Sequence, residues 1–414
     1  MKAKHSHFIE NCQVCNSKNL QPVLFLGYLP PVNEMISVGA RIEERPSFPT
    51  QLLFCNDCSL VQLSCAVDKE VLFPPEYPYT SGMTKILHDN FQDLYEESKT
   101  IVDYAKNPKV IDIGSNDGTL LSKFKNGGLQ VHGIEPTAVY KMAVEKGIPT
   151  TNAFFSPEVA LSVQKTFGRA QMVTATNVFA HIDNIHSILD GILQLVDERG
   201  IFVSENHYLG SLVQTLQYDT VYHEHLRYYS VTSLRRLLEP HGLEIFHVKK
   251  IPTHGGSIRV YSAKKGLYPV RDSVAAIIRE EKEICVRPEH LQEFAQRVHM
   301  SKLQINALLY RVKQEGGRIF GIGAPSRAST LIGYTGIDEQ SVQAVAEMKG
   351  SLKIGKYMPG TMIPVVEEAA LYEQQPEYAM LLSWHIAEEL IPKIKAKGFK
   401  GKFIVPLPEA RVVN

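Results

Sequence analysis

Short runs of apolar residues alternate along this chain with stretches whose apolar positions recur at helical spacing. Lys109-Val110-Ile111-Asp112-Ile113, Gln130-Val131-His132-Gly133-Ile134, and the runs at 171–175 and 200–204 carry little strict alternation. They read as parallel strands buried on both faces. Residues 85–98 and Thr119-Leu120-Leu121-Ser122-Lys123-Phe124 follow a helical period, so the middle of the chain predicts a doubly wound α/β unit. Further strands are expected at 317–324, 378–385 and 402–406, with a charged helical run at 273–314 leading into them. That is a second Rossmann-like pattern. Near the N-terminus, Val23-Leu24-Phe25-Leu26 and Gln51-Leu52-Leu53-Phe54 are strand-like runs of another kind, each next to a pair of cysteines.

Three modules follow: residues 1–75, 76–265 and 266–414. A chain of 414 residues, 44% apolar, is long enough for two or three cores of ordinary size. Its 44 basic and 44 acidic side chains cancel, which leaves no field to attract nucleic acid or an anionic membrane. The first residues lack the apolar run of a secretion signal, and no stretch of about 18 apolar residues could span a bilayer. A cytoplasmic protein, monomeric or weakly dimeric, with no nucleic-acid or membrane partner is expected.

Six cysteines are too few for a disulfide scaffold, but four form Cys12-x-x-Cys15 and Cys55-x-x-Cys58. Two thiolates on each of two tight turns can close a tetrahedral site, for which zinc is the natural ion, and a site filled by protein is structural. Disulfide exchange is the rival use of Cys-x-x-Cys, and two pairs favour metal over it. Cys65 and Cys285 read as small buried side chains.

The turn Asp112-Ile113-Gly114-Ser115-Asn116-Asp117-Gly118 joins a strand to a helix, and Glu135 ends the next strand about 20 residues later. A carboxylate in that position is placed to receive ribose hydroxyls. The glycine spacing is not Gly-x-Gly-x-x-Gly, so NAD is the less suitable cofactor. It resembles the first motif of class I S-adenosylmethionine-dependent methyltransferases. Beyond the later strands lie Asn177, His181, Glu205 and His207, and further on Tyr222-His223-Glu224-His225. Histidines beside a carboxylate and a phenol suit proton transfer near neutral pH, although a polar surface turn has the same composition.

These blocks together resemble the nucleotide-sugar C-methyltransferases that add a methyl branch at C3 of 4-keto-6-deoxysugars. The likeness runs through the cysteine pairs, Tyr77-Pro78-Tyr79-Thr80-Ser81, the glycine turn, 177–181, 219–226, His254-Gly255-Gly256-Ser257-Ile258-Arg259, 321–326 and 353–360. It implies an N-terminal zinc-binding module, a central S-adenosylmethionine-dependent domain and a C-terminal Rossmann-like domain that holds the sugar nucleotide. By that resemblance His225 is the base, with Tyr222, Glu224 and His181 near the reacting carbon and Tyr79, or else Tyr77, beside the cofactor. The cofactor is expected against Asp112, Gly114, Asn116, Asp117, Gly118, Glu135, Pro136 and Asn177. Substrate is expected against His254, Gly255, Gly256, Ser257 and Arg259, and against Gly323, Ala324, Pro325, Ser326, Lys356, Tyr357 and Pro359. Backbone N–H groups at the second glycine turn, with Lys353 or Lys356 nearby, would suit a diphosphate.

The chain departs from the family's usual pattern at Glu347-Met348-Lys349 and Trp384-His385, where an aspartate and Trp-Asn are common. Both changes fall in the C-terminal domain and leave the nucleotide and the sugar open. Methylation of oxygen or of another carbon acid is the competing enzymatic expectation. A zinc-containing binding protein without catalysis is the non-enzymatic one.

Overall fold

The computed structural model describes residues 5–73, 85–102, 104 and 107–414. Tyr77 and Tyr79, expected beside the cofactor, lie outside the described residues. Its largest sheet has seven strands in the order Leu243–Ile251, Ser257–Lys264, Val196–His207, Ala170–Thr176, Lys109–Ile113, Gln130–Ile134, Thr150–Thr151. Ser257–Lys264 runs antiparallel to both neighbours and the remaining pairs are parallel.

Successive residues on these strands enter different cores, as a period of two requires. Val110, Met172, Ile201 and Val203 pack beneath helices Lys85–Ile101 and Thr119–Asn126. Ile111, Val173 and Phe202 pack on the other side against Pro157–Thr166, Ile185–Leu195 and Val231–Leu238. Both faces being covered explains why the strands read as apolar runs.

A second sheet is ordered Val365–Glu367, Ala344–Glu347, Ile319–Ile322, Tyr378–Leu381, Lys402–Val405, Arg411–Val413, parallel except for the last strand. The run expected at 378–385 leaves the sheet after Leu381 and turns into the 3-10 segment Trp384–Ile386. The helical stretch before this domain is two helices, Asp272–Ile284 and Pro288–Gln314. Proline at the first helical position starts the second, because its missing N–H would have had no intrahelical partner there.

The N-terminal sheet holds a strand pairing that the residue pattern does not suggest. Its four antiparallel strands are Leu20–Leu29, Phe48–Cys55, Val61–Leu63 and, at the edge, Arg227–Tyr228, which directly follows the Tyr-His-Glu-His block. The same sheet shares a core with the C-terminal domain, Leu24, Leu52 and Phe54 belonging with Phe320, Leu331 and Leu381. Among the described residues no helix is long and apolar enough to cross a membrane.

Candidate active site

Two cysteine turns are built alike. Asn16 N–H donates to the Cys12 carbonyl and Ser59 N–H to the Cys55 carbonyl, each at 2.9 Å. Asn16 and Ser59 both take a left-handed backbone, φ 58° and 61°. The four sulfur atoms lie within 4.8 Å of one another, Cys12 to Cys58 at 3.4 Å and Cys15 to Cys55 at 3.5 Å. A tetrahedral zinc with Zn–S bonds of about 2.3 Å needs sulfurs about 3.8 Å apart, so the thiols fit the ion with small adjustment. All four are free of disulfides, as are the buried Cys65 and Cys285.

At the carboxyl end of the central sheet, the glycine turn has no room for side chains. A Cβ on Gly114 would sit 2.3 Å from Val178 Cγ2, and one on Gly118 2.7 Å from Ile148 Cδ1. Their φ values are 71° and 74°. Such crowding lets backbone approach a ligand where any larger residue would be strained. Glu135 Oε2 accepts from the Asn116 N–H at 3.0 Å and Oε1 accepts from Thr137 N–H and Oγ1 at 2.9 and 2.6 Å. The carboxylate is thereby fixed between the turn and the end of its own strand. The Pro136 carbonyl is held by Asn152 at 3.0 Å, and Asn177, φ 57°, donates its N–H to the Glu205 carbonyl.

Asp112 is buried beneath the turn and accepts from Thr174 Oγ1 at 2.6 Å. Burial pushes its carboxyl up to about 7, and the nearby negative charges of Glu135 and Glu205 add to the rise, against the Thr174 hydrogen bond.

Three expected ligand contacts need correction because the side chains are consumed inside the protein. Asp117 is buried and accepts from Thr119 N–H and Oγ1 and from Lys146, which makes it a brace of the helix start. Ser257 is buried with its hydroxyl on the Thr253 carbonyl. Arg259 has 0% exposure, and its guanidinium binds Glu205 at 2.7 Å, Asp93 and Glu97 at 2.8 Å and Asn90 at 2.9 Å. Both faces of Ser257–Lys264 are covered, so Ser257 and Arg259 are enclosed wherever they point, while His254 precedes the strand. His254 itself is left-handed, φ 55°.

The histidine site is assembled by two loops sewn together. Leu226 N–H donates to the Ala180 carbonyl at 2.8 Å, and the buried Arg227 donates to the carbonyls of Phe179, Ile182 and Asp183. This brings the His181 and His225 rings to 5.0 Å, with the Tyr222 ring 4.2 Å from His225 and tilted to it by 34°. His225 Nδ1 lies 2.9 Å from the Thr220 carbonyl, which accepts only, so Nδ1 carries the proton and Nε2 the lone pair. Burial lowers its pKa well below that of ordinary histidine, and the neighbouring His181, His207 and His254 lower it further against the Thr220 hydrogen bond. His223, two residues earlier, is buried, has Nε2 3.2 Å from Thr50 Oγ1 and packs against Phe48. One histidine of the block is buried and the other is half-buried.

Both other modules hold this loop. Asn33, from the N-terminal module, donates to Glu224 Oε1 at 2.7 Å and accepts from Ser326 Oγ of the C-terminal domain at 3.4 Å. Arg327 grips Asp219 through two 2.7 Å bonds, and Trp384 Nε1 donates to the same carboxylate at 2.7 Å. Charge from Arg327 reaches His207, His254 and His385, whose pKa values fall to about 3, 4 and 2, with burial the larger cause in each. Asn33, Arg327 and His385 were not singled out from sequence as site residues. Asn33 lies in a turn, Arg327 in the first turn of helix Ser326–Thr335 and His385 in the 3-10 segment Trp384–Ile386, and only the fold brings them together.

At the second glycine turn, Gly323 has φ 80° and Pro325 precedes helix Ser326–Thr335. Ala324 N–H, expected to face a diphosphate, donates instead to Glu347 Oε2 at 2.6 Å. A carboxylate therefore occupies this amide. Lys353 donates to the Ala324 carbonyl at 2.6 Å, while Lys356 and Tyr357 pair with Ser37 and Ile36 of the N-terminal module, beside the buried Pro359.

Comparison with known proteins gives three family models and a relative along nearly the whole chain. Residues 12–73 match a family model described as "Putative zinc binding domain", residues 83–248 a methyltransferase domain and residues 252–408 the C-methyltransferase C-terminal domain. The C-methyltransferase NovU of Streptomyces niveus is 31% identical over 412 residues, spanning 98% of this chain and 97% of that protein. Among solved structures, a magnesium protoporphyrin IX methyltransferase from Synechocystis with bound SAM is 12% identical over 43% of this chain and 79% of its own, TM-score 0.32. An S-adenosylmethionine-dependent methyltransferase from Clostridium acetobutylicum is 13% identical over 43% of this chain and 92% of its own, TM-score 0.34.

Proposed function

The chain belongs to the family of S-adenosylmethionine-dependent C-methyltransferases with a zinc-binding domain, and from that premise we propose that it methylates C3 of a nucleotide-linked 4-keto-6-deoxysugar. The observation that carries this reading is the state of His225, a half-buried imidazole whose Nδ1–H is committed to Thr220 and whose Nε2 has its lone pair available beside Tyr222 and His181. A proton next to a ketone becomes removable when a positioned base accepts it while donors stabilise the oxygen that gains charge. Nε2 takes the C3 proton, and Tyr222 and His181 are the groups close enough to it to meet the enolate. Glu224, held by Asn33, orients the loop that presents them.

S-adenosylmethionine, when bound, supplies an electrophilic methyl group. The turn at Gly114, Asn116 and Gly118 with Glu135, Pro136 and Asn177 is the cradle that fits it, Glu135 being already fixed at the turn to accept from ribose hydroxyls. The C-terminal loops at Gly323–Ser326 and Lys356–Pro359 take the nucleotide.

Solvent exchange tests the reading. With S-adenosylhomocysteine and a nucleotide 4-ketosugar, the enzyme should exchange the C3 proton in deuterated solvent, and His225→Asn should lose exchange and methylation by about 10²–10⁴-fold while still binding S-adenosylhomocysteine. Methyl transfer to the ketosugar's hydroxyl without exchange would establish O-methylation instead.

A further inference from the structure

The two glycine turns of this chain are the same device built twice. In the central sheet Ile113, just before Gly114, pairs with Ile134, just before Glu135. In the C-terminal sheet Ile322, just before Gly323, pairs with Ala346, just before Glu347. Each glycine is left-handed, φ 71° and 80°. Each donates its N–H to the residue preceding the carboxylate, Gly114 to Ile134 at 2.8 Å and Gly323 to Ala346 at 2.9 Å.

The carboxylates are anchored the same way. Glu135 accepts from a turn amide, Asn116 N–H, at 3.0 Å and from Thr137 N–H just beyond its strand at 2.9 Å. Glu347 accepts from a turn amide, Ala324 N–H, at 2.6 Å and from the next residue, Met348 N–H, at 2.8 Å.

An acidic side chain at the end of the second strand of such a unit, about 20 residues past the turn, is placed to accept from ribose hydroxyls. A carboxylate is also the wrong group to face a diphosphate at close range, since like charges repel most where water is excluded. We infer that Glu347 receives the ribose hydroxyl groups of the substrate's nucleoside, so that the sugar ring of the nucleotide, and not its diphosphate, lies over the Gly323 turn. The inference rests on the nucleotide-linked substrate proposed above.

Calorimetry with the S-adenosylhomocysteine-saturated enzyme separates the possibilities, using thymidine diphosphate and uridine diphosphate, each beside its dideoxy analogue that lacks ribose hydroxyls. Wild type should bind the hydroxyl-bearing member of the accepted pair about tenfold or more tightly, the size of one hydrogen bond to a charged group. Glu347→Ala should bind both members equally, with unchanged affinity for S-adenosylhomocysteine. A wild-type enzyme indifferent to the hydroxyls, or a Glu347→Ala variant that keeps the full discrimination, overturns the assignment of Glu347. If neither these nor guanosine and cytidine diphosphates bind, the nucleotide-linked substrate falls with it, whereas binding without discrimination leaves that substrate standing and removes Glu347 alone.

Discussion

His223 and His225 stand two residues apart and differ in what the fold does with each ring. His223 is buried against Thr50 and Phe48, while His225 keeps Nε2 available because Thr220 occupies Nδ1. Burial and neighbouring imidazoles hold His225 below the ordinary histidine pKa of about 6.5, so it remains neutral and basic in mildly acid solution. The acid limb of kcat/KM should therefore fall below pH 6.5, and an inflection at or above that value would assign it to another group. A second residue-scale prediction concerns Arg259, which has 0% exposure and ties down the fully buried Glu205. Arg259→Met leaves that carboxylate unpaired and should cost about 3–5 kcal/mol in urea unfolding. A loss below about 1 kcal/mol would reopen Arg259 as a ligand group. The sequence did not reveal its role, because a guanidinium in a strand looks the same whether its partner is substrate or Glu205.

Local elements were readable where their signal is local. The strand, glycine turn and helix at 109–126 follow from neighbouring residues, and Glu135 follows from a fixed offset to them. Glu347 is not reached by that offset, since the loop and helix between Gly323 and its strand are longer, and only the pairing of Ile322 with Ala346 places it beside its turn. The strand Arg227–Tyr228 could not be read in this way. Two residues carry no period, and their partners, Gln62 and Val61, are far away in the chain. That pairing changes what metal loss should do, since the strand hangs from the sheet that the cysteine turns terminate and His225 sits two residues before it. Stripping zinc with a chelator should lower the melting temperature and abolish C3 exchange in parallel. Full exchange by metal-free protein that is still folded by circular dichroism would show that the module does not position the loop.

Across the whole molecule, a set of neutral histidines, His223 buried and the others partly buried, makes stability depend on acidity. Burial lowers His181, His223 and His254 to about 4, His207 to about 3 and His385 to about 2. In the unfolded chain each titrates near 6.5, so between that value and the folded values the unfolded state binds more protons. Their contribution is complete above about pH 6.5 and is lost progressively as pH falls. Melting temperature should decline from pH 7 to pH 5, and a flat profile would mean that these rings are solvated. The shared core has a temporal consequence as well. The N-terminal sheet lacks its edge strand until Tyr228 has been made, and its apolar face packs against helices as late as Pro288–Gln314 and Ser326–Thr335. On the ribosome, the cysteine turns can capture their ion early, but the sheet they terminate must wait with an open edge and an uncovered face until those helices have emerged.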